Sequence, residues 1–324
     1  MLKKKRMTWK KFRYNSMEFN HISVMPNEAI ASLNLNRGGI YVDGTLGGGG
    51  HSKLILDALP STGRLIGIDQ DENAISAATK LLCNSNFTAV HGNFHNMPAI
   101  LHDLNIASVD GVLLDLGVSS HQLDTPDRGF SYRFDGPLDM RMDRSTDLTA
   151  REIVNTYSEK DLADLIFTYG EERYSRRIAR AICAARESNI IETTLGLVNI
   201  IEKVYPHQKY GSPHPAMRTF MAIRIAVNNE LSPLGDVLQN IINCLHPNGR
   251  IVVITFHSLE DRIVKTTFNK LTNPCECPRE IPYCVCGKTP KLRILTRKPI
   301  LPTSEELAYN RRAHSAKLRI AEKI

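Results

Sequence analysis

Residues 40–52 read Ile-Tyr-Val-Asp-Gly-Thr-Leu-Gly-Gly-Gly-Gly-His-Ser and set a carboxylate, a hydroxyl and a glycine run beside one another. A short β-prone stretch ends at Asp43, the glycines let the backbone turn, and residues 52–59 read as a helix. Strand, glycine turn and helix together present main-chain N–H groups to a nucleotide-like ligand. Twenty residues beyond Gly49, Leu65-Ile66-Gly67-Ile68-Asp69 reads as a second buried strand ending in a carboxylate. An acid at that offset is placed to accept both hydroxyls of a ribose. Val112-Leu113-Leu114-Asp115 is a third strand with the same ending. Ligands of open α/β sheets sit at the carboxyl ends of strands, so Asp43, Asp69 and Asp115 ring one crevice.

The ligand chemistry follows from those three acids. No Gly-Lys-Ser/Thr follows the turn, which excludes a phosphate-binding P-loop. A dinucleotide is a poorer match, because Asp43 at the first turn repels a pyrophosphate. S-adenosylmethionine carries an ammonium group, a sulfonium and a ribose, which suit an acidic crevice. Phe94, in His91-Gly92-Asn93-Phe94 after a strand-like run at 87–90, offers a ring where an adenine would lie, or a core aromatic.

With these residues in view, the chain resembles the bacterial 16S ribosomal RNA cytosine-N4 methyltransferase family (RsmH/MraW) from Met17 onward. The matching segments are Asp43-Gly44-Thr45 with Gly49-Gly50-His51-Ser52, Leu113–Ser120, Arg128-Gly129-Phe130-Ser131-Tyr132 and Asp135–Asp143. They continue through Tyr169-Gly170-Glu171-Glu172-Arg173, His214-Pro215-Ala216 with Arg218-Thr219-Phe220, Phe256–Arg262 and Ser315-Ala316-Lys317-Leu318-Arg319. The resemblance implies cofactor contacts from Gly49, Gly50, His51, Asp69, Phe94, Asp115 and Gln122. It also implies methylation of a cytosine in the decoding region of 16S rRNA, within the small ribosomal subunit in the cytoplasm. His314 stands where members usually carry arginine, a departure that touches only a peripheral basic contact.

An exocyclic amino nitrogen is a poor nucleophile, because its lone pair is delocalised into the ring. Methyl transfer to it needs an acceptor for an amino N–H, and in-line positioning supplies much of the rest. Asp115, the carbonyls of residues 116–119, Ser119 and Ser120 are the candidates, with Asp115 the catalytic choice unless it only binds cofactor. DNA amino-methyltransferases use Asp/Asn-Pro-Pro-aromatic at this place, whereas this chain has Asp115-Leu116-Gly117-Val118. That difference counts against a DNA enzyme. The intact glycine loop and the three acids count against a non-catalytic ribosome assembly factor. The target base must be unstacked to reach the methyl group. Arg128, Phe130, Tyr132, Arg141, His214, Arg218, Arg224 and His257 are candidates to grip it or its phosphates. For the arginines the alternative is an internal salt bridge, and for His257 a hydrogen-bonded structural role.

The elements that must position these groups form an α/β fold: a Rossmann-like class I methyltransferase sheet with an inserted small all-helical domain. The strand–helix alternation stops at Asp124. Ser158-Glu159-Lys160-Asp161 then reads as a capping box before Leu162, Leu165, Ile166 and Tyr169 at helical spacing. A helix at 174–187 carries Arg173, Arg177 and Arg180 as helical neighbours, and a third starts at Thr194 and ends at Pro206. The expected division is a basic extension over 1–16, methyltransferase domain over 17–127 and 217–324, and a helical RNA-recognition insertion over 128–216. Ile251 to Phe256 reads as the strand after the insertion, with residues 292–295 and 316–321 as a final antiparallel pair.

The net charge of +7 over 324 residues suggests nucleic acid until it is located. Lys3, Lys4, Lys5, Arg6, Lys10, Lys11 and Arg13 carry all of it, leaving the rest neutral. Those residues read as an upstream extension of a chain starting at Met17, with an RNA-binding arm or a transit peptide as alternatives. No apolar h-region follows them, which excludes a secretory signal. From Asp261 onward fourteen Lys/Arg stand against six Asp/Glu, so a basic C-terminal quarter adjoins an acidic cofactor half. No apolar run approaches the ~20 residues of a membrane span. Cys83, Cys183 and Cys244 read as core residues. Cys275, Cys277, Cys284 and Cys286 either close a tetrahedral zinc site or remain reduced loop thiols, since Cys-x-Cys is not the usual knuckle spacing.

Overall fold

Alternation along the strands explains the architecture. In the computed structural model, which describes residues 23–35, 38–206, 211–278, 283 and 285–324, seven strands form one sheet in the order β3-β2-β1-β4-β5-β7-β6. The first half runs α1 (Pro26–Leu33), β1 (Ile40–Asp43), α2 (Gly50–Ala58), β2 (Arg64–Asp69), α3 (Glu72–Leu81), β3 (Phe87–His91), α4 (Met97–Asp103), β4 (Val109–Asp115) and α5 (Ser120–Asp124). Four helices follow: α6 (Ala150–Thr156), α7 (Glu159–Gly170), α8 (Ser175–Ser188) and α9 (Thr194–Val204). The chain then returns through α10 (Ala216–Asn228), α11 (Leu234–Asn243), β5 (Leu245–Thr255), α12 (Ser258–Thr272), β6 (Leu292–Ile294), α13 (Ser304–Tyr309) and β7 (Lys317–Lys323).

β1 to β5 are parallel, and β7 pairs antiparallel with both β5 and β6. Successive side chains of a strand face opposite sides, so a sheet covered on both faces needs continuous apolar strands. Val112, Leu114, Ile251 and Val253 pack with Leu238, Ile241 and Phe268 on one face. Leu113, Val252 and Ile254 pack with Leu33 and Ile55 on the other. The strand order reverses between β1 and β4, and a sheet of this kind opens its ligand crevice at that switch point.

A second core lies under the helices between β4 and β5, where Ile153, Ile166, Ile178 and Ile201 meet. α10 belongs to it, through Ala216, Phe220, Ala222 and Ile223, so the helical core extends past residue 216. The segment carrying Phe130, Leu138, Met140 and Met142 joins the same cluster.

Local expectations shift in two places. Ser158 caps α7 by accepting from the Asp161 amide at 3.1 Å, but its hydroxyl donates to the Asp161 carboxylate at 2.7 Å. The cap is therefore a side-chain pair, not the reciprocal backbone box. β5 starts earlier than the apolar run, at Leu245, and its register against β4 shifts between Val109 and Gly111. Pro247-Asn248-Gly249 sits at that irregularity, with Asn248 at φ 64°.

Candidate active site

The carboxyl ends of β1, β2 and β4 open into a cavity of about 320 Å³, in the range of small-molecule sites. Gly47 and Gly49 make the loop after β1 possible, at φ 50° and 83°, a region that side-chain-bearing residues rarely adopt. The Gly47 amide then donates to Asp69 Oδ2 at 2.7 Å, and Gly49 packs against Ala78 of α3. Asp43 is buried, accepts from Ser52 Oγ at 2.7 Å and from the Thr45 amide at 3.2 Å. Thr45 Oγ1 in turn accepts from the Asp115 amide at 2.6 Å, which ties the glycine loop to β4.

The three acids share one electrostatic environment. Burial pushes Asp43 up to about 6, against hydrogen bonds from Ser52 and Thr45 that pull it down. Burial likewise pushes Asp69 up to about 6, and the charges of Asp71 and Asp43 add to this. Asp115 is raised well above the ordinary carboxylate range by burial, and then by Asp43, Glu260 and Glu306. Its Oδ1 is buried with no hydrogen-bond partner among the described residues. A buried acceptor without a donor costs on the order of 1–3 kcal/mol, which a ligand N–H or the acid's own proton offsets.

His51 faces this acid, with Nδ1 3.7 Å from Asp115 Oδ2. Its Nε2 lies 2.9 Å from the Val24 carbonyl, and burial lowers its pKa to about 4. The ring is therefore neutral near pH 7, with Nε2–H donating to Val24 and the Nδ1 lone pair turned toward Asp115.

Gly50, Phe94 and Gln122 also line the cavity. The Gln122 amide is engaged at both ends: Nε2 donates to Asp71 Oδ2 at 2.9 Å, and Oε1 accepts from the Ser119 amide at 3.0 Å in the capping box of α5. Glu260 is buried in the cavity wall itself. Burial pushes its pKa up, but contact with His257 and the charge of Arg224 outweigh that and hold it below the usual range.

The four arginines and two histidines among the residues expected to touch substrate separate. Arg128 is 2% exposed, 2.5 Å from Asp71, and donates to the carbonyls of Arg141 and Met142. Buried, with Nη1 and Nη2 engaged and Nε without a partner among the described residues, it braces the cavity wall and has no face for RNA. Arg141 is held by both Asp139 oxygens, at 2.7 and 3.0 Å. Arg224 lines the cavity but pairs bidentately with Glu230, at 2.9 and 2.8 Å. His257 caps α12, accepting from the Glu260 amide through Nδ1. His214 stacks on Tyr132 at 4.6 Å, and exposed Arg218 donates to the Glu171 carbonyl. His214 reaches the helical cluster through Tyr132 and Arg218 stands on α10, both outside the cavity lining.

Arg173 and Arg177 lie over the Tyr174 ring, and Arg180 approaches Glu159 of α7 at 3.5 Å. None pairs with Glu171 or Glu172, the partners their sequence neighbourhood suggested. Sequence reasoning missed Asp71, Asn228, Glu230, Glu306 and Val24. Asp71 comes two residues after the strand-end Asp69 and was the one with a local signal; the others reach the site only through the fold. Cys83 is exposed past the end of α3, and Cys183 and Cys244 are half-buried and pack against the helical and sheet cores from outside, so none is fully buried in a core. Lys3 to Arg13 and Cys284 lie outside the described residues.

Residues 18–324 match the model of the MraW methylase family. Among curated relatives, Ribosomal RNA small subunit methyltransferase H of Clostridium botulinum (strain Kyoto / Type A2) is 54% identical over 309 residues, covering 95% of this chain and 100% of that one. The protein of the same name from Carboxydothermus hydrogenoformans is 53% identical over 310 residues, covering 95% and 99%. A solved structure described as an rRNA methylase from Streptococcus thermophilus aligns at a TM-score of 0.38 and 10% identity, covering 93% and 95%.

Proposed function

Because this chain belongs to the MraW methylase family, we propose that it methylates the N4 amino group of a cytosine in the decoding region of 16S ribosomal RNA, within the small ribosomal subunit in the cytoplasm. S-adenosyl-L-methionine is the cofactor, and when bound it supplies an electrophilic methyl group on a sulfonium. The observation that carries the reading is the acid-lined cavity with a donorless Asp115 oxygen, in a chain matching its relatives end to end.

The residues divide the work by position. Asp69, fixed by the amides of Gly47 and Asp71, accepts the ribose hydroxyls. Asp43 and Asp115 draw the cationic end of the ligand into the crevice. Gly50 brings the backbone close, Gly49 behind it holds the turn against Ala78, His51 shapes the wall beside Asp115, and Phe94 and Gln122 line the cavity beside the glycine loop. Asp115 Oδ1 then accepts the amino N–H of the base, aiming its lone pair at the methyl group. No strong base is needed, since the methylated nitrogen is positively charged and loses its proton readily. The helical block, reached from β4 and returning to β5, is the element that holds RNA over the cavity.

The test is nucleoside mass spectrometry of 16S rRNA after incubation of unmethylated small subunits with the purified protein and methyl donor. N4-methylcytidine at one decoding-region position is expected. Methylation at another base or atom, or none from a folded protein that binds cofactor, overturns the reading.

A further inference from the structure

The connection from α12 to β6 spans residues 273–291, and its described residues form no helix or strand. Loops of that length without structure of their own are uncommon in compact domains. Two of its described apolar side chains are turned outward, Tyr283 at 74% and Val285 at 66% exposure. Its base is firmly tied: the Lys291 amide donates to the Leu271 carbonyl at 2.8 Å, and the Ile324 amide to the Lys291 carbonyl at 3.1 Å.

What converges inside the loop is sulfur. The Sγ atoms of Cys275, Cys277 and Cys286 all lie within 4.8 Å of one another. The Val285 amide donates to Cys277 Sγ at 3.3 Å, which fixes the orientation of that sulfur. Lys288, two residues beyond Cys286, pairs with Glu276, which stands between Cys275 and Cys277 in the chain. A disulfide would use two sulfurs and strand the third, whereas one ion uses all three.

We propose that Cys275, Cys277 and Cys286 bind a zinc ion that closes this loop. Thiolate-only donors in tetrahedral array select zinc over harder divalent metals. Zinc–sulfur bonds of about 2.3 Å put tetrahedral sulfurs about 3.8 Å apart, so a contraction of about 1 Å completes the site. Binding releases the thiol protons and changes no oxidation state. Cys284, two residues before Cys286 in the sequence, lies outside the described residues, and its contribution is read by experiment. α12 starts at the carboxyl end of β5 and runs back, so the loop leaves and re-enters at the opposite edge of the sheet from Asp115. The ion is therefore a structural clip, independent of the cofactor cavity.

The experiment uses the untagged full chain, made metal-free under reducing conditions and titrated with zinc alone, then with cobalt as a spectroscopic probe. About one zinc per chain and a thiolate-to-cobalt charge-transfer band are expected. Replacing Cys275, Cys277 and Cys286 together with serine should abolish both, while C83S retains them and cofactor affinity stays near wild type in each. A C284S variant then shows whether three or four thiolates bind. Substoichiometric zinc in the reduced wild-type chain, full zinc retention in the triple variant, or preferential assembly of iron overturns the proposal. Unchanged cofactor binding in the triple variant certifies its fold and keeps this outcome separate from any failure of the methyltransferase reading.

Discussion

Asp43, Asp69 and Asp115 are acids that the folded chain keeps partly protonated, and this has a pH signature. Burial lifts Asp43 and Asp69 from 3.8 to about 6 and Asp115 higher still. Between those values the folded state holds protons that the unfolded chain has released. Their contribution to stability is therefore fully present below about pH 4 and is lost as pH rises through about 6. A bound cation favours the ionised acids and reverses the trend. The thermal shift produced by S-adenosylmethionine is thus expected to grow between about pH 5 and pH 7, as scanning calorimetry with and without cofactor would record. A shift of equal size at both pH values would detach these acids from the cofactor's charge. Arg128 makes the opposite kind of residue-scale case. With Asp71 it is a buried pair, and removing one member of such a pair costs about 3–5 kcal/mol. Arg128→Ala should lower stability by that order in urea unfolding, and the double change with Asp71→Asn should recover part of it. Wild-type stability in Arg128→Ala, with RNA binding lost, would return Arg128 to the substrate surface.

At the scale of elements, α8 is the helix that most needs a partner. Its buried face carries Ile178, Ala179 and Ile182, while Arg173, just before it, and Arg176, Arg177 and Arg180 are exposed. Stacking of Arg173 and Arg177 on Tyr174 orients the guanidinium groups without neutralising them. Surface pairing of Arg180 with Glu159 is weak, as exposed ion pairs are. The triple change of Arg173, Arg177 and Arg180 to alanine is therefore expected to cut rRNA methylation severalfold, chiefly through KM, and to flatten its salt dependence. Cofactor affinity, measured by calorimetry, should hold near wild type. Normal methylation of small subunits by the folded variant would move the RNA-reading role to the basic C-terminal quarter. The glycine loop is an element of another sort, since its geometry was readable from residue types alone. Gly47 and Gly49 occupy the left-handed conformations that a glycine run after a strand announces.

Across the whole molecule, the two ends of the described chain meet at the cavity wall. Glu306 of α13 accepts from the Met25 amide at 2.7 Å, and Val24 beside it receives the His51 ring. Glu306→Ala leaves that buried amide without a partner and should cost about 1–3 kcal/mol of stability. Because Val24 shifts with it, cofactor affinity should fall as well, readable by calorimetry on the folded variant. A stability loss with affinity intact would make the contact a strut and nothing more.

Local chemistry let the sequence determine the three strand-end acids, the glycine turn, the helix limits near Ser158, Thr194 and Pro206, and the switch-point crevice. Each depends on a period of two, a cap or a turn, all carried by residues close together in the chain. The eight matching segments and the acids between them also carried the family. Only the tertiary structure decided that Arg128 is buried against Asp71, that Gln122 spends its amide on Ser119 and Asp71, and that α10 completes the helical core. It likewise decided that Val24, Asn228 and Glu306 stand at or behind the cavity wall. A charged side chain's role depends on which partner folding brings to it. Asp71 and Arg128 are 57 residues apart and Met25 and Glu306 are 281 apart, separations over which no pattern of residue types specifies a contact.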